Sequence, residues 1–464
     1  MQFASFTFLF LFMPITLGIY HVVPKSWKQY VLLGISVLFL LGGGIIAALV
    51  ELVLTGGTFG TGIWLEHMRK KAHKKRSILL LTAVVIIYVS VLLLLRSDWM
   101  QMWKTLWLSG NDFFPLGLSF FTLQGIGYCL DVRRGECDAE RNWWKLSLYL
   151  LFYPKLMMGP IVPYRIAKNS LSDTTFSLSQ MGIGFQKFLT GLAKKLIFAD
   201  GCEMLFSTIY QSDMTTYSIL IFWVGAFAKL LSLYFEFSGY ADMAVGLGLC
   251  YGVKLPESYG KKLFYPTMTK FTEQWNKTVV QWFFQHIGSK LHGNKRILHI
   301  LAVVLIWGMI GLWYDFRLLP LLFGMFVGLC VGLEYLLEKK KKTSYHAIRY
   351  FLTILLCCIG TVLLSLSDWE ICKQYFLGCF GMIHLTPTDM DWEILSGFWI
   401  ILAIGIYAAI GNFGTLVRKI QRSDHRFWKA CIEPLQILAV LLLLFIDGVM
   451  LIRAGGSAEI HVLL

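Results

Sequence analysis

The sequence has few charged residues for its length. Asp, Glu, Lys and Arg make up only 15% of the 464 residues, whereas 56% are hydrophobic and the mean hydropathy is +0.63. A soluble domain of this length needs a much larger share of polar side chains on its surface. No polar interval is long enough for a separate soluble domain, and no repeat of fixed period stands out. The sequence therefore predicts an integral membrane protein with one domain over residues 1–464.

The cysteines and histidines lack the spacing of a metal site. Ten cysteines are scattered through mainly apolar stretches, and none forms the C-x-x-C pair of zinc or redox chemistry. His286, His292 and His299 have no i, i+4 partner of the kind that holds a metal on a helix. We expect no metal site, and we expect these histidines to be solvated or interfacial.

Long apolar runs recur along the whole chain. A run of about 18 residues or more crosses a ~30 Å hydrocarbon core, and backbone groups in lipid must pair within each segment, which favours helices. The sequence predicts an all-α polytopic fold of about ten to thirteen transmembrane or re-entrant helices. The candidate spans are 4–22, 29–45, 46–66, 77–96, 113–130, 145–162, 184–200, 217–253 (expected to be two helices), 298–314, 318–337, 348–366, 394–411 and 434–453.

The net charge of +14 comes from basic residues in short loops beside these runs. The positive-inside rule places such loops in the cytoplasm, so the charge does not indicate a nucleic-acid partner. The runs Arg69–Arg76 and Arg133–Arg134 predict a multi-pass protein of the plasma membrane with an extracytoplasmic N-terminus. The run Lys339–Lys342 is expected to meet anionic lipid headgroups.

Polar residues interrupt several apolar runs. Ionisable groups inside a span serve function or pairing, whereas small and hydroxyl residues more often pack helices together. Residues 254–296 are the longest polar interval and predict an amphipathic helix with Trp275 and Trp282 on one face. The residues expected to bind substrate are Ser119, Gln124, Glu236, Ser238, Tyr240, Asp242, Trp275 and Trp313.

Five stretches carry a family resemblance. They are, in chain order, FPLGLSFFTLQGIGYCLDVRRGE, FYPKLMMGPIVPYR, YFEFSGYADMAVGLG, LPESYGKKLFYPTMTKFTEQWNKTVVQWF and GLWYDF. Their set and order resemble the membrane-bound O-acyltransferase family, most closely the bacterial branch that O-acetylates alginate and other exopolysaccharides or D-alanylates teichoic acid.

The resemblance implies a helical fold around a central funnel or tunnel. It also implies transfer of an acyl group, acetyl in the first instance, from a cytosolic thioester to a hydroxyl of an extracytoplasmic polysaccharide or cell-wall acceptor. The donor would be acetyl-CoA or an acyl carrier protein, with no tightly bound cofactor. An extracytoplasmic acyltransferase or an active paralogue is the expected protein partner.

The resemblance assigns catalytic positions to Tyr314 and Asn276. The family has a histidine at the end of its G-L-W-H motif, where this chain has Tyr314, and a histidine or asparagine after the upstream tryptophan, where it has Asn276. Imidazole titrates near pH 6.5 and suits a general base, whereas phenol, with a pKa of about 10, stays protonated at pH 7. Asp315 and Glu273 are the nearby carboxylates expected to supply basicity.

Three hypotheses follow from these residues. The first is an active O-acyltransferase in which Tyr314 and Asn276 polarise the acyl carbonyl. The second is a catalytically silent family member that acts as a scaffold or acyl conduit for an active partner. The third is a transporter, suggested by the ionisable Glu236 and Asp242 and weakened by the lack of an internal hydropathy repeat.

Overall fold

The protein is almost entirely helical. The computed structural model describes residues 2–96, 117–172, 177–288, 296–337, 346–411 and 426–455. Within these ranges the one β-type pairing is an isolated bridge between Ser218 and His384. The predicted all-α polytopic fold is confirmed. The basic run Lys339–Lys342 and His292 lie outside the described residues.

Two compact units form the structure. The first contains residues up to Phe188 together with Tyr240–Glu257, and the second contains Leu189–Gly239 and the described residues from Ser258 onward. The predicted single domain over residues 1–464 stays a prediction.

The helices of the first unit begin after a π-helical turn at Phe8–Phe12. They are α1 (Met13–Val22), α2 (Lys28–Leu41), α3 (Ile45–Lys70), α4 (Lys74–Arg96), α5 (Leu118–Arg134), α6 (Trp143–Leu151), α7 (Tyr153–Leu156), α8 (Tyr164–Ser172) and the first part of α9 (Leu178–Ala193).

The second unit continues from α9 through a π-helical segment, Lys194–Ala199. Its further helices are α10 (Asp200–Gln211), α11 (Ile219–Cys250, whose last residues belong to the first unit), α12 (Met268–Gln274), α13 (Lys277–His286), α14 (Arg296–Tyr314), α15 (Leu318–Leu337), α16 (His346–Ser365), α17 (Trp369–Cys379), α18 (Asp389–Ala409) and α19 (Arg426–Arg453).

Seven helices of the described part are long and apolar enough to cross a membrane: α3, α4, α11, α14, α15, α16 and α18. The prediction of two helices over 217–253 is wrong, because α11 is one continuous helix of 32 residues. At 1.5 Å per residue it is about 48 Å long. It contains no proline, and a long helix crosses a membrane by tilting.

The candidate span 145–162 is wrong as a single helix. Its chain forms the short α6 and α7, and residues 157–163 then run without regular structure. Pro154, the Gly159-Pro160 pair and Pro163 cause this break, because proline lacks an N–H and clashes with the preceding turn.

A tight helical hairpin, α14 and α15, carries one side of the candidate site in the second unit. Glycines allow close approach of the two helices, as small residues do in membrane bundles. A Cβ at Gly324 would lie 2.1 Å from the Trp307 carbonyl oxygen, and a Cβ at Gly311 would lie 2.1 Å from the Pro320 carbonyl oxygen. The spacing of the two helices therefore requires glycine at both positions.

Candidate active site

A break between α12 and α13 turns two predicted site residues toward the interior of the second unit. Trp275 ends α12, and its N–H donates to the Phe271 carbonyl at 2.9 Å. Asn276 follows with φ 43°, a left-handed conformation that asparagine tolerates better than most residues. Both side chains are buried. The predicted continuous amphipathic helix is wrong, and Trp275 does not share a helical face with Trp282.

Neighbouring segments hold this break in place. Glu334 of α15 accepts hydrogen bonds from the N–H groups of Met268 and Thr269 at the start of α12, at 2.7 and 2.9 Å. The Ser258 carbonyl accepts from the Lys277 N–H at 2.7 Å, and the Gly260 N–H donates to the Gln274 carbonyl at 2.9 Å. These bonds fix the loop around Tyr259 against the break.

Tyr314, the last residue of α14, meets the break with its hydroxyl. The indole Nε1–H of Trp275 donates to the Tyr314 oxygen at 3.3 Å, and the amide Nδ2 of Asn276 donates at 3.5 Å. The two positions that the family resemblance assigned lie 38 residues apart in sequence and are in contact here. The Tyr314 hydroxyl keeps one proton to donate, and no acceptor within the described residues takes it.

Aromatic rings enclose the Tyr314 hydroxyl. Phe237 of α11 lies 5.7 Å from the Tyr314 ring and 6.0 Å from the Trp275 ring, measured between centroids. Trp313 and Phe323 lie 5.2 and 6.3 Å from Tyr314. The enclosure removes water, and hydrogen bonds are stronger in such a low-dielectric site.

Two buried hydroxyl groups of this region have no hydrogen-bond partner among the described residues. They are the Tyr259 hydroxyl, on a ring 5.9 Å from Trp275, and the Ser238 hydroxyl, next to Phe237 in the chain. Burial raises the pKa of Tyr259 well above its usual value near 10, so this phenol stays protonated and able to donate. Tyr259 is not among the site residues predicted from the sequence, although it lies within the motif LPESYGKKLFYP.

A narrow cavity of about 20 Å³ adjoins the same aromatic cluster. Two of its lining residues, Trp275 and Phe323, also contact Tyr314. The rest of the lining is mainly apolar: Met268, Phe271, Thr272, Trp307, Val327, Leu356, Cys357, Gly360, Thr361 and Leu364. A water-sized group needs roughly 10–15 Å³ by this measure, so the cavity has room for about one methyl group.

The two candidate carboxylates lie away from the Tyr314 hydroxyl. Asp315 forms an ion pair with Arg317, two residues later in the chain. The Glu273 side chain is exposed on α12. Their predicted basic role stays a prediction, and neither carboxylate contacts the Trp275–Asn276–Tyr314 cluster. His286 is buried, with its ring 4.9 Å from the Trp282 ring, so it is not solvated; the interfacial alternative stays a prediction.

The acidic residues of α11 each have a lysine partner. Glu236, in the second unit, is fully buried and lies 3.3 Å from the Lys195 ammonium, which also contacts Asp200 at 2.6 Å. Asp242, in the first unit, lies 3.2 Å from Lys187. Pairing accounts for the placement of both acids, and their expected role in substrate binding stays a prediction.

The remaining expected binding residues belong to the first unit. Ser119, Gln124 and Tyr240 are all buried there. The side-chain amide of Gln124 has no hydrogen-bond partner among the described residues. An unsatisfied buried amide is uncommon in proteins, and Gln124 therefore remains a candidate for binding substrate.

Comparisons with known proteins identify the family of this region. Residues 142–339 match the model of MBOAT, the membrane-bound O-acyltransferase family. The chain carries a membrane-bound O-acyltransferase domain. This domain includes both Asn276 and Tyr314, and the family resemblance of the sequence motifs is confirmed.

Several curated relatives are similar to this chain. The probable alginate O-acetylase AlgI of Pseudomonas fluorescens is 25% identical over 421 residues, which cover 89% of this chain and 82% of the relative. The peptidoglycan O-acetyltransferase of Helicobacter pylori is 24% identical over 278 residues, 54% of this chain and 51% of the relative. The teichoic acid D-alanyltransferase of Bacillus subtilis is 23% identical over 261 residues, 52% of this chain and 64% of the relative.

Proposed function

We propose that this membrane O-acyltransferase-family protein transfers an acetyl group from a cytosolic thioester to a hydroxyl group of an extracytoplasmic polysaccharide. Two of the relatives are named probable alginate O-acetylase and peptidoglycan O-acetyltransferase. The basic loops beside the spans support a plasma-membrane protein with an extracytoplasmic N-terminus. Acetyl-CoA or an acylated carrier protein is the proposed donor, and an extracytoplasmic acyltransferase is the proposed partner.

The hydrogen bonds to Tyr314 carry this proposal. Because Trp275 and Asn276 both donate to the Tyr314 oxygen, the Tyr314 O–H is oriented away from them. An enclosed O–H of this kind suits the carbonyl oxygen of a bound thioester. Preorganised donors of this type contribute most where negative charge develops in the transition state, about 10²- to 10³-fold in kcat for each donor.

The reaction then proceeds by attack of the acceptor hydroxyl oxygen on the thioester carbonyl carbon. The new C–O bond places negative charge on the carbonyl oxygen, which accepts from Tyr314 and, in this proposal, from Tyr259. Collapse of this tetrahedral intermediate breaks the C–S bond, and the proton of the acceptor hydroxyl passes to the thiolate sulfur. Without a histidine at position 314, the reaction loses the ~10²- to 10⁴-fold that a general base supplies.

The narrow cavity beside Trp275 supports acetyl as the transferred group. Its volume of about 20 Å³ holds one methyl group, and Phe323 and Met268 line it. A longer acyl chain would require these side chains to move in a well-packed interior, which is costly.

Purified protein in lipid, supplied with acetyl-CoA and polysaccharide, tests the proposal. We expect thiol release that requires the polysaccharide and is lost in Asn276→Gly. Glycine adopts the left-handed conformation without strain, so this variant removes the amide and leaves the backbone intact. A wild-type rate no higher than that of Tyr314→Ala, with both acetyl-CoA and an acetylated carrier protein, would refute the proposal.

A silent scaffold or acyl conduit is the second candidate function. The observation that favours it is a phenol at the position where the family has its histidine. Tyr314→His would then raise thiol release from background without loss of folded protein, and deletion of the gene would alter the pattern of acetylation rather than abolish it. Complete loss of acetylation on deletion that the Tyr314→Phe protein fails to restore would contradict this role.

A further inference from the structure

An open apolar groove lies on the second unit, apart from the candidate active site. Its volume is about 460 Å³, and helices α15, α16 and α17 form its walls. The lining residues are Leu322, Phe326, Leu363, Trp369, Cys372, Lys373, Phe376, Leu377 and Phe380.

The groove lies near one end of two membrane-spanning helices. Leu322 is four residues from the start of α15, and Leu363 is two residues from the end of α16. At 1.5 Å per residue, Leu322 lies about 6 Å and Phe326 about 12 Å from the end of α15. Only 39% of the α15 span and 33% of the α16 span are buried within the protein. A membrane-spanning helix ends near the headgroup layer, and the groove begins within about 12 Å of the end of α15.

Two hydrogen bonds join helix α17 to α11. The Tyr375 hydroxyl donates to the Phe222 carbonyl at 2.8 Å, and the Trp223 indole N–H donates to the Cys379 carbonyl at 2.8 Å. Both bonds lie on the side of α17 that faces α11. The opposite side carries exposed Trp369 and Phe380, and exposed tryptophan is typical of the membrane interface.

Lys373 is the charged residue that lines the groove, and the carboxylates of Glu370 and Asp368 flank it on the same helix. The Lys373 ammonium lies 3.6 Å from the Glu370 carboxylate, and both side chains are more than half exposed. The neighbouring Asp368 carboxylate is already used, because it caps α17 by accepting from the N–H groups of Glu370 and Ile371. The Asp368 carboxylate keeps its charge while it caps the helix, so Asp368, Glu370 and Lys373 together carry a net charge of about −1. This charge disfavours an anionic headgroup and leaves Lys373 to contact the phosphate of a zwitterionic one.

We propose that this groove binds one phospholipid with a zwitterionic headgroup. An acyl chain lies along Leu322, Phe326 and Leu363, the phosphate contacts Lys373, and the headgroup ammonium contacts Glu370. Nothing in the acyl-transfer reaction requires this site, so the proposal stands independently of the proposed function.

The test counts phospholipid that stays bound to the full-length protein, measured by native mass spectrometry after incubation with phosphatidylethanolamine or phosphatidylglycerol. We expect one retained phosphatidylethanolamine and no retained phosphatidylglycerol. Leu363→Trp should abolish retention by filling the groove. Lys373→Glu should lower retention about fivefold, since one basic contact with a phosphate is lost, and the exchange of both charges in Lys373→Glu with Glu370→Lys should restore it.

Lys261→Glu is the matched control, because Lys261 is an exposed lysine outside the groove. It should retain lipid as the wild type does, and all variants are compared as monodisperse protein. Equal retention of phosphatidylglycerol, or full retention by Leu363→Trp, would overturn the proposal.

Discussion

Replacing Gly324 with alanine tests how the α14–α15 hairpin positions Tyr314. A Cβ at this position would lie 2.1 Å from the carbonyl oxygen of Trp307 and 2.8 Å from its carbonyl carbon. Both atoms belong to the backbone, so no side-chain rotation relieves the contact. The two helices must separate, and Tyr314 at the end of α14 must move with them.

The expected cost follows from two opposing effects. Overpacking a well-packed interior costs about 1–3 kcal/mol, and a contact with rigid backbone belongs in the upper part of this range. Alanine also gains up to about 1 kcal/mol over glycine in helix propensity. Gly324→Ala should therefore lower the free energy of unfolding by about 1–2 kcal/mol, the difference of these two effects.

Denaturation in mixed detergent and SDS micelles measures this change. Two other helical glycines, where an added Cβ would meet less than at Gly324, serve as controls. A Cβ at Gly308 meets only flexible side-chain atoms of Leu321 and Met325 at 3.4 Å, and a Cβ at Gly397 meets nothing within 4 Å. Gly308→Ala should be nearly neutral and Gly397→Ala neutral or slightly stabilising. Equal stability of Gly324→Ala and Gly397→Ala would refute the close packing of this hairpin.

Three further predictions concern the cavity and the charged clusters. Phe323→Ala should widen the cavity beside Trp275 and let butyryl-CoA compete with acetyl-CoA; unchanged donor preference would contradict the cavity's role. Lys195→Met should cost about 3–5 kcal/mol, because it leaves a buried Glu236 carboxylate without its lysine, and adding Glu236→Gln should recover most of that loss in the same micelle assay. Burial alone would raise the pKa of Glu140, but hydrogen bonds from Tyr164, the Asn142 N–H and Lys168 outweigh it and hold the pKa at about 2. In the unfolded chain the pKa of Glu140 takes the ordinary glutamate value of about 4.3. The wild type should therefore lose stability as the pH falls from about 5 toward 2, and Glu140→Gln should lose less stability over the same range.

The sequence predicted the fold class, and its motifs singled out Asn276 and Tyr314, which are in contact in the structure; their catalytic role stays a prediction. Apolar runs of membrane length identify helices because a backbone in lipid must pair within itself. The ordered motifs located Asn276 and Tyr314 before any distance was known. Hydropathy does not separate one long tilted helix from two shorter ones, which explains the wrong division of residues 217–253.

The break at Trp275 and Asn276 was not predictable from local pattern. Trp275 and Trp282 have the spacing of one helical face, and asparagine is only a weak helix breaker. Contacts from Ser258, Gly260 and Glu334, which are distant in sequence, hold the break open. In the same way, adjacency in sequence suggested Asp315 as a base, whereas the structure pairs its carboxylate with Arg317.

The rate of thiol release by Tyr314→Phe tests whether the Tyr314 hydroxyl stabilises the transition state. This substitution deletes only the hydroxyl that accepts from Trp275 and Asn276 and that is proposed to donate to the acyl carbonyl. We expect a loss of about 10²- to 10³-fold in kcat, and no change in Tyr407→Phe, which removes a hydroxyl from an exposed tyrosine of α18. Wild-type turnover in Tyr314→Phe would contradict this role of the hydroxyl.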